Sequence, residues 1–86
     1  MAELTVSVVS ADREVWSGVA KQVVARTTEG EIGILPGHEP LLGILSAGEV
    51  RITPTAGDVI IAKAEDGFLS VENNTVTIVA GAAALV

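Results

Sequence analysis

Cysteine and tyrosine are missing from this 86-residue chain, and aromatic residues are nearly so: Trp16 and Phe68 are the two, 2% of the total. Without cysteine there are no disulfides and no thiolate metal sites. Two aromatic rings do not make the stacking platform that sugar or single-stranded nucleic acid binding normally uses. Cationic residues are also few. Five Lys and Arg stand against eleven Asp and Glu, a formal charge of −6. That argues against a nucleic-acid partner, which needs a basic patch, and against an anionic membrane surface. No apolar run reaches the ~18 residues of a membrane span, so direct membrane insertion is not expected. The N-terminus, Met1-Ala2-Glu3-Leu4, has neither the basic nor the apolar region of a signal peptide. A soluble, cytosolic, single domain is the expectation.

What the chain does have is aliphatic: 49% of it is hydrophobic, too much for disorder. The core must be Val, Ile, Leu and Ala. The dominant period is two. Leu4, Val6 and Val8 alternate with Glu3, Thr5 and Ser7, the pattern of a strand with one wet face. Further strands are predicted over 15–17, 19–28, 31–35, 41–45, 48–53, 58–64, 67–71 and 75–80. Stops are expected at Pro36-Gly37 and Pro54, and a hairpin turn at Asn73-Asn74. No long segment carries a 3.6-residue apolar period. Many short strands with frequent turn signals predict an all-β sandwich or barrel. The end of the chain, 76–86, is apolar and small, so it either packs on the sandwich, continues into something or meets a partner.

Catalytic signals are sparse. Gly30, Gly33 and Gly37 match neither a phosphate loop nor a dinucleotide fingerprint, and read as turn and close-approach glycines. His38 is the one histidine. As a general base it needs a nucleophile and a carboxylate at hand, yet Glu39, its neighbour, points the other way if both lie on a strand. The plainer reading is a turn or interface histidine. Asp12 with Glu14, and Glu65 with Asp66, read as solvated clusters rather than catalytic pairs. Ser46, Ser70 and Asp58 belong to no nucleophile elbow. Asn73-Asn74-Thr75 fits a glycosylation sequon but reads more simply as a turn. No metal or cofactor site is expected. One charge feature stands out: residues 27–50 contain Glu29, Glu31, Glu39 and Glu49 and no Lys or Arg. Such a segment suits either plain solubility or an electropositive partner.

The run TEGEIGILPGHEPLL at 28–42 resembles the signature of the epsilon subunit of F-type ATP synthases, called delta in mitochondria. VVSADREVWSG at 8–18, GEVRI at 48–52, GFLSV at 67–71 and NTVTIVA at 74–80 resemble further family elements in the right order. The likeness covers residues 3 to 80. It implies a flattened ten-stranded β-sandwich at the foot of the rotor's central stalk. That domain binds the gamma subunit with one face and rests on the polar loops of the c-ring. It couples proton-driven rotation to ATP synthesis and has no active site of its own. The ring loops usually carry Arg, so Glu29, Glu31 and His38 are expected to face the c-ring, Glu31 foremost. The complex would sit on the cytoplasmic face of the plasma membrane, with this subunit peripheral to it and soluble when isolated.

Two departures from the family are evident. Asp66-Gly67-Phe68 stands where the family has Gly-Gly-Phe, a change expected to fall in a turn. The family's two C-terminal helices, which carry inhibition of ATP hydrolysis and in some members an ATP-sensing site, have no counterpart here. Residues 81–86 therefore read as a truncated or altered tail of a domain spanning 1–86. Three competing readings remain at this point. One is a stand-alone or engineered β-sandwich binding module with no synthase partner. Another is a small hydrolase built on His38. The third is a designed or minimal fold with no partner at all; apart from these readings, a weak homodimer through a sheet edge or the apolar tail is a further partner expectation.

Overall fold

The computed structural model describes residues 3–11 and 13–85. They form six strands and no helix: β1 (Leu4–Ser10), β2 (Glu14–Thr27), β3 (Gly30–Ile34), β4 (Leu41–Pro54), β5 (Ile60–Glu72) and β6 (Thr75–Leu85). The strand order is β1-β6-β5-β4-β2-β3, and β1 also pairs with β2, which closes the first five into a ring. The pairs are antiparallel except β1 with β6, which is parallel. The outline is flattened, 33 × 26 × 19 Å.

The all-β class is as the period-two pattern predicts, but six strands are described rather than ten. The reason lies at the corners. Residues 14–20 of β2 pair with β1, while residues 20–27 pair with β4 and β3. Residues 41–44 of β4 meet 68–71 of β5, and residues 48–52 meet 60–64, with pairing lapsed between. β6 gives residues 75–80 to β1 and lies along β5 as far as Leu85. Each long strand thus serves both layers and bends between them without breaking. The bends come from register shifts and unusual backbone angles. Between Ala25 and Thr27 the β4 partner moves from Val50 to Leu45, so extra β4 residues bow outward, as at a β-bulge. Asp66 in β5 sits at φ 56. The sequence around it reads as a break, and the strand runs through it.

Alternation places one aliphatic set inside. Leu4, Val6 and Val8 of β1 are fully buried with Val23, Ile34, Ile52, Leu69, Val71, Val76 and Ile78. No aromatic side chain is among the buried core residues. Trp16 packs against it from the edge, half-buried, and Phe68 points outward, 42% exposed. The tail at 82–85 packs as a strand against Ala62, Lys63, Ala64 and Glu65.

Candidate partner-docking surfaces

The signature run folds into two turns joined by β3. At its start a two-residue loop, Thr28-Glu29, links the facing pair Thr27 and Gly30. The Thr27 hydroxyl donates to the Gly30 carbonyl at 2.8 Å, and the Glu29 N–H donates back to Thr27 Oγ1 at 3.2 Å. The Thr28 N–H donates to the Ile44 carbonyl at 3.0 Å. The tip is therefore held from inside and from β4, and it displays the exposed Glu29 side chain.

At its end, Pro36-Gly37 forms a tight turn closed by the His38 N–H donating to the Leu35 carbonyl at 3.1 Å. Gly37 has φ +89. Proline at the second position and a positive-φ glycine at the third define a type II turn. His38 is half-buried, and its ring Nδ1 lies 2.7 Å from the Glu39 carbonyl oxygen. That backbone contact, with no carboxylate or nucleophile joined to the ring among the described residues, gives the hydrolase reading no support.

The three expected ring-facing residues are not gathered in one place. Glu29 and Glu31 lie at the first end of β3 and His38 beyond its last. From Glu31 to Ile34 alone the strand advances about 10 Å. Nor is the acidic segment free of bases in space, although it is in sequence. Glu31 stands directly opposite Arg26, and Glu49 opposite Lys63. An open hollow of about 430 Å³ is lined by Val24, Arg26, Glu31, Gly48, Glu49 and Arg51. Two arginines thus balance two glutamates there. The stretch that lacks bases in sequence is therefore not a purely acidic surface: folding sets cations from β2, β4 and β5 beside it.

Sequence reasoning missed a second surface. Val9 pairs with Val79, Val79 with Phe68, and Phe68 with Ile44. All four point away from the core, and Leu42 follows two residues along the same face. Ile44 is 63% exposed and Leu42 71%. This is an apolar row across four strands on the outside of one layer. Isolated surface hydrophobics need no explanation, whereas a contiguous row marks an interaction site. The available signal was that both members of the Leu41-Leu42 and Phe68-Leu69 pairs are large and apolar, so one of each must face out.

The remaining candidates stay apart. Glu14, Asp58, Glu65 and Asp66 are exposed, and Asp12 lies outside the described residues. Among the described residues no group of three His, Asp or Glu could hold a metal ion. No helix among them is long and apolar enough to cross a membrane.

The comparisons bear on the whole chain. The family described as ATP synthase, Delta/Epsilon chain, beta-sandwich domain matches residues 3–86. The chain is 51% identical over 84 residues to the ATP synthase epsilon chain of Streptomyces coelicolor, spanning 98% of this chain and 68% of that one. It is 55% identical over 84 residues to that of Rhodococcus erythropolis, spanning 96% and 69%. To the epsilon chain of Micrococcus luteus it is 52% identical over 85 residues, spanning 99% and 93%. In three dimensions it is similar to a chain in the cryo-EM structure of the Euglena gracilis mitochondrial ATP synthase OSCP/F1/c-ring, with TM-score 0.91 and 24% identity. The match covers 99% of this chain and 54% of that chain, so this chain spans about half its length. A likeness at that identity speaks to the fold, and the closer relatives speak to the family. The chain belongs to the ATP synthase delta/epsilon β-sandwich family.

Proposed function

We propose that this chain is a non-catalytic subunit of the central stalk of an F-type ATP synthase. It couples c-ring rotation to the gamma subunit during proton-driven ATP synthesis. The observation that carries this reading is identity above 50% to ATP synthase epsilon chains along nearly the whole chain. The outward apolar row supports it, because a coupling subunit acts through protein faces. The Ile44 and Phe68 row is the gamma-facing surface: large, apolar and exposed in the free chain, as the centre of a lasting interface is before its partner covers it. Glu29, Glu31 and His38 face the c-ring. The complex lies at the cytoplasmic side of the membrane, with this chain bound peripherally.

Ring docking is then not a matter of bulk negative charge. Arg26 and Arg51 offset Glu31 and Glu49, so the surface reads charge locally. Interspersed charges of both signs fix register and partner choice more than they add affinity. A lever that must not slip needs register.

Co-expression with a cognate gamma subunit tests the reading. The expected outcome is a stable gamma complex that survives purification and assembles onto ring-containing membranes. A well-folded chain that never retains gamma overturns it and favours a stand-alone β-sandwich module.

A further inference from the structure

We infer that Asn74 is a positioning residue that ties the His38 turn to the hairpin bearing the apolar row. This rests on the proposed function for its biological meaning, and on hydrogen bonds for its geometry. Asn73 and Asn74 form the two-residue turn between β5 and β6, with φ of 49 and 58, across the facing pair Glu72 and Thr75. Both angles suit a type I′ hairpin, which favours Asn followed by Gly. Glycine would therefore serve the backbone at position 74 at least as well as asparagine. The asparagine side chain does something else. Its Oδ1 accepts the Gly37 N–H at 2.7 Å. Its main-chain carbonyl accepts the Thr5 N–H at 2.8 Å. One residue thus joins the start of β1, the β5–β6 hairpin and the Pro36-Gly37 turn.

The donor is a backbone amide, so the group facing it must be the amide oxygen of Asn74. Gly37 sits inside a turn whose own closing bond uses the His38 N–H. Its own amide is left free by that closure and donates to Asn74, which ties the turn to the β5–β6 hairpin. Two things depend on that turn. His38 follows it directly, and β4 leaves it carrying Leu42 and Ile44. On the other side of the clamp, β5 and β6 carry Phe68 and Val79. The clamp therefore fixes a ring-facing turn to both halves of the proposed gamma-facing row. A subunit that passes torque between two partners needs its two contact surfaces held in fixed relation. Asn74 supplies a bond between the two turns that border them, outside the core.

Two variants of the full chain test this. Asn74→Gly keeps the left-handed backbone and deletes only the acceptor, so the fold survives. Asn74→Asp retains an acceptor oxygen. The bond is solvent-accessible, and bonds of that kind are worth roughly a 2- to 10-fold shift in an opening equilibrium. Amide hydrogen exchange at Gly37 should accelerate roughly 2- to 10-fold in Asn74→Gly and stay near the parent rate in Asn74→Asp. The core amides of Leu69 and Ile78 should be unchanged in both. In the assembled synthase, Asn74→Gly should retain gamma but show lower proton pumping driven by ATP hydrolysis, with Asn74→Asp restoring it. Unchanged Gly37 exchange overturns the clamp. Faster exchange with undiminished pumping overturns its positioning role. Failure of the parent chain to retain gamma is separate: it overturns the proposed function and, with it, the coupling role, while the exchange data still decide whether the clamp exists.

Discussion

Arg26 and Glu31 face each other across the β2–β3 hairpin, both exposed, so the leading ring-facing candidate also has a cation directly across from it. Removing the carboxylate therefore has two consequences that must be separated. It takes a charge from the proposed docking surface, and it leaves Arg26 without its opposite. Directly opposed like charges on a sheet cost about 0.2–1 kcal/mol, less when solvent and salt screen them.

A charge swap separates the two. Glu31→Arg alone should lower stability slightly and weaken c-ring attachment. Combining it with Arg26→Glu restores the local pair and returns the melting temperature to near the parent value. Ring attachment should stay weak in the double variant, because the carboxylate is now on the wrong strand. Glu72→Lys, at an exposed position beside the Asn73-Asn74 turn, is the control and should leave attachment intact. Sedimentation of the subunit with ring-containing membranes and ATP-driven proton pumping measure the outcome. Full recovery in the swapped variant, or equal loss at Glu72, would remove Glu31 from the ring-facing surface.

The apolar row gives a second prediction. Ile44 and Phe68 are cross-strand neighbours that are 63% and 42% exposed, so replacing them loses only part of a side chain's burial on folding. Ile44→Lys and Phe68→Lys should each shift the melting temperature by only a few degrees. Each should weaken gamma binding by tenfold or more, since a buried charge at an interface centre has no partner there. Titration calorimetry against isolated gamma reads this directly. Undiminished affinity in both variants would show that gamma docks elsewhere.

How far the sequence already disclosed this can be traced residue by residue. The β1 alternation of Leu4, Val6 and Val8, the Pro36-Gly37 stop and the Asn73-Asn74 turn are local features, and local features survive in a string of letters. What was not legible depends on partners distant along the chain. Ser46-Ala47 and Glu65-Asp66, each just ahead of a glycine, read as breaks between strands, because Gly and Asp normally punctuate. In the fold they are corners through which β4 and β5 continue. The stretch without cations at 27–50 looked uniformly acidic because Arg26, Arg51 and Lys63 lie just outside it or far along. Strand pairing places them beside Glu31 and Glu49. The apolar row has four strands as its source, and no single segment announces it.

The Asp66-Gly67 corner makes a third prediction, and it separates two kinds of backbone constraint. Gly67 faces Ala80 in register, and a Cβ built there would run into the Val79 carbonyl oxygen and the Ala80 backbone. Main-chain atoms in a paired strand cannot step aside as a flexible side chain can. Gly67→Ala should therefore pull β5 from β6 at the bend and cost about 2–4 kcal/mol. For a domain of 86 residues that is a fall in melting temperature of roughly 10 °C or more. Asp66 presents the other constraint. Its φ of 56 is a left-handed conformation that costs non-glycine residues about 1–2 kcal/mol, less for Asp than for most. Glycine relieves that cost but loses more chain entropy on folding. The balance favours Asp66→Gly by about 0.5 kcal/mol, raising the melting temperature by roughly 2–4 °C. It also explains why the family's usual Gly-Gly at this corner is tolerated here as Asp-Gly but would not be as Gly-Asp. Calorimetric melting of the two variants and of the Asp66→Gly/Gly67→Asp exchange decides it. An exchange variant as stable as the parent would show that the corner relaxes freely and that Gly67 is not held by β6.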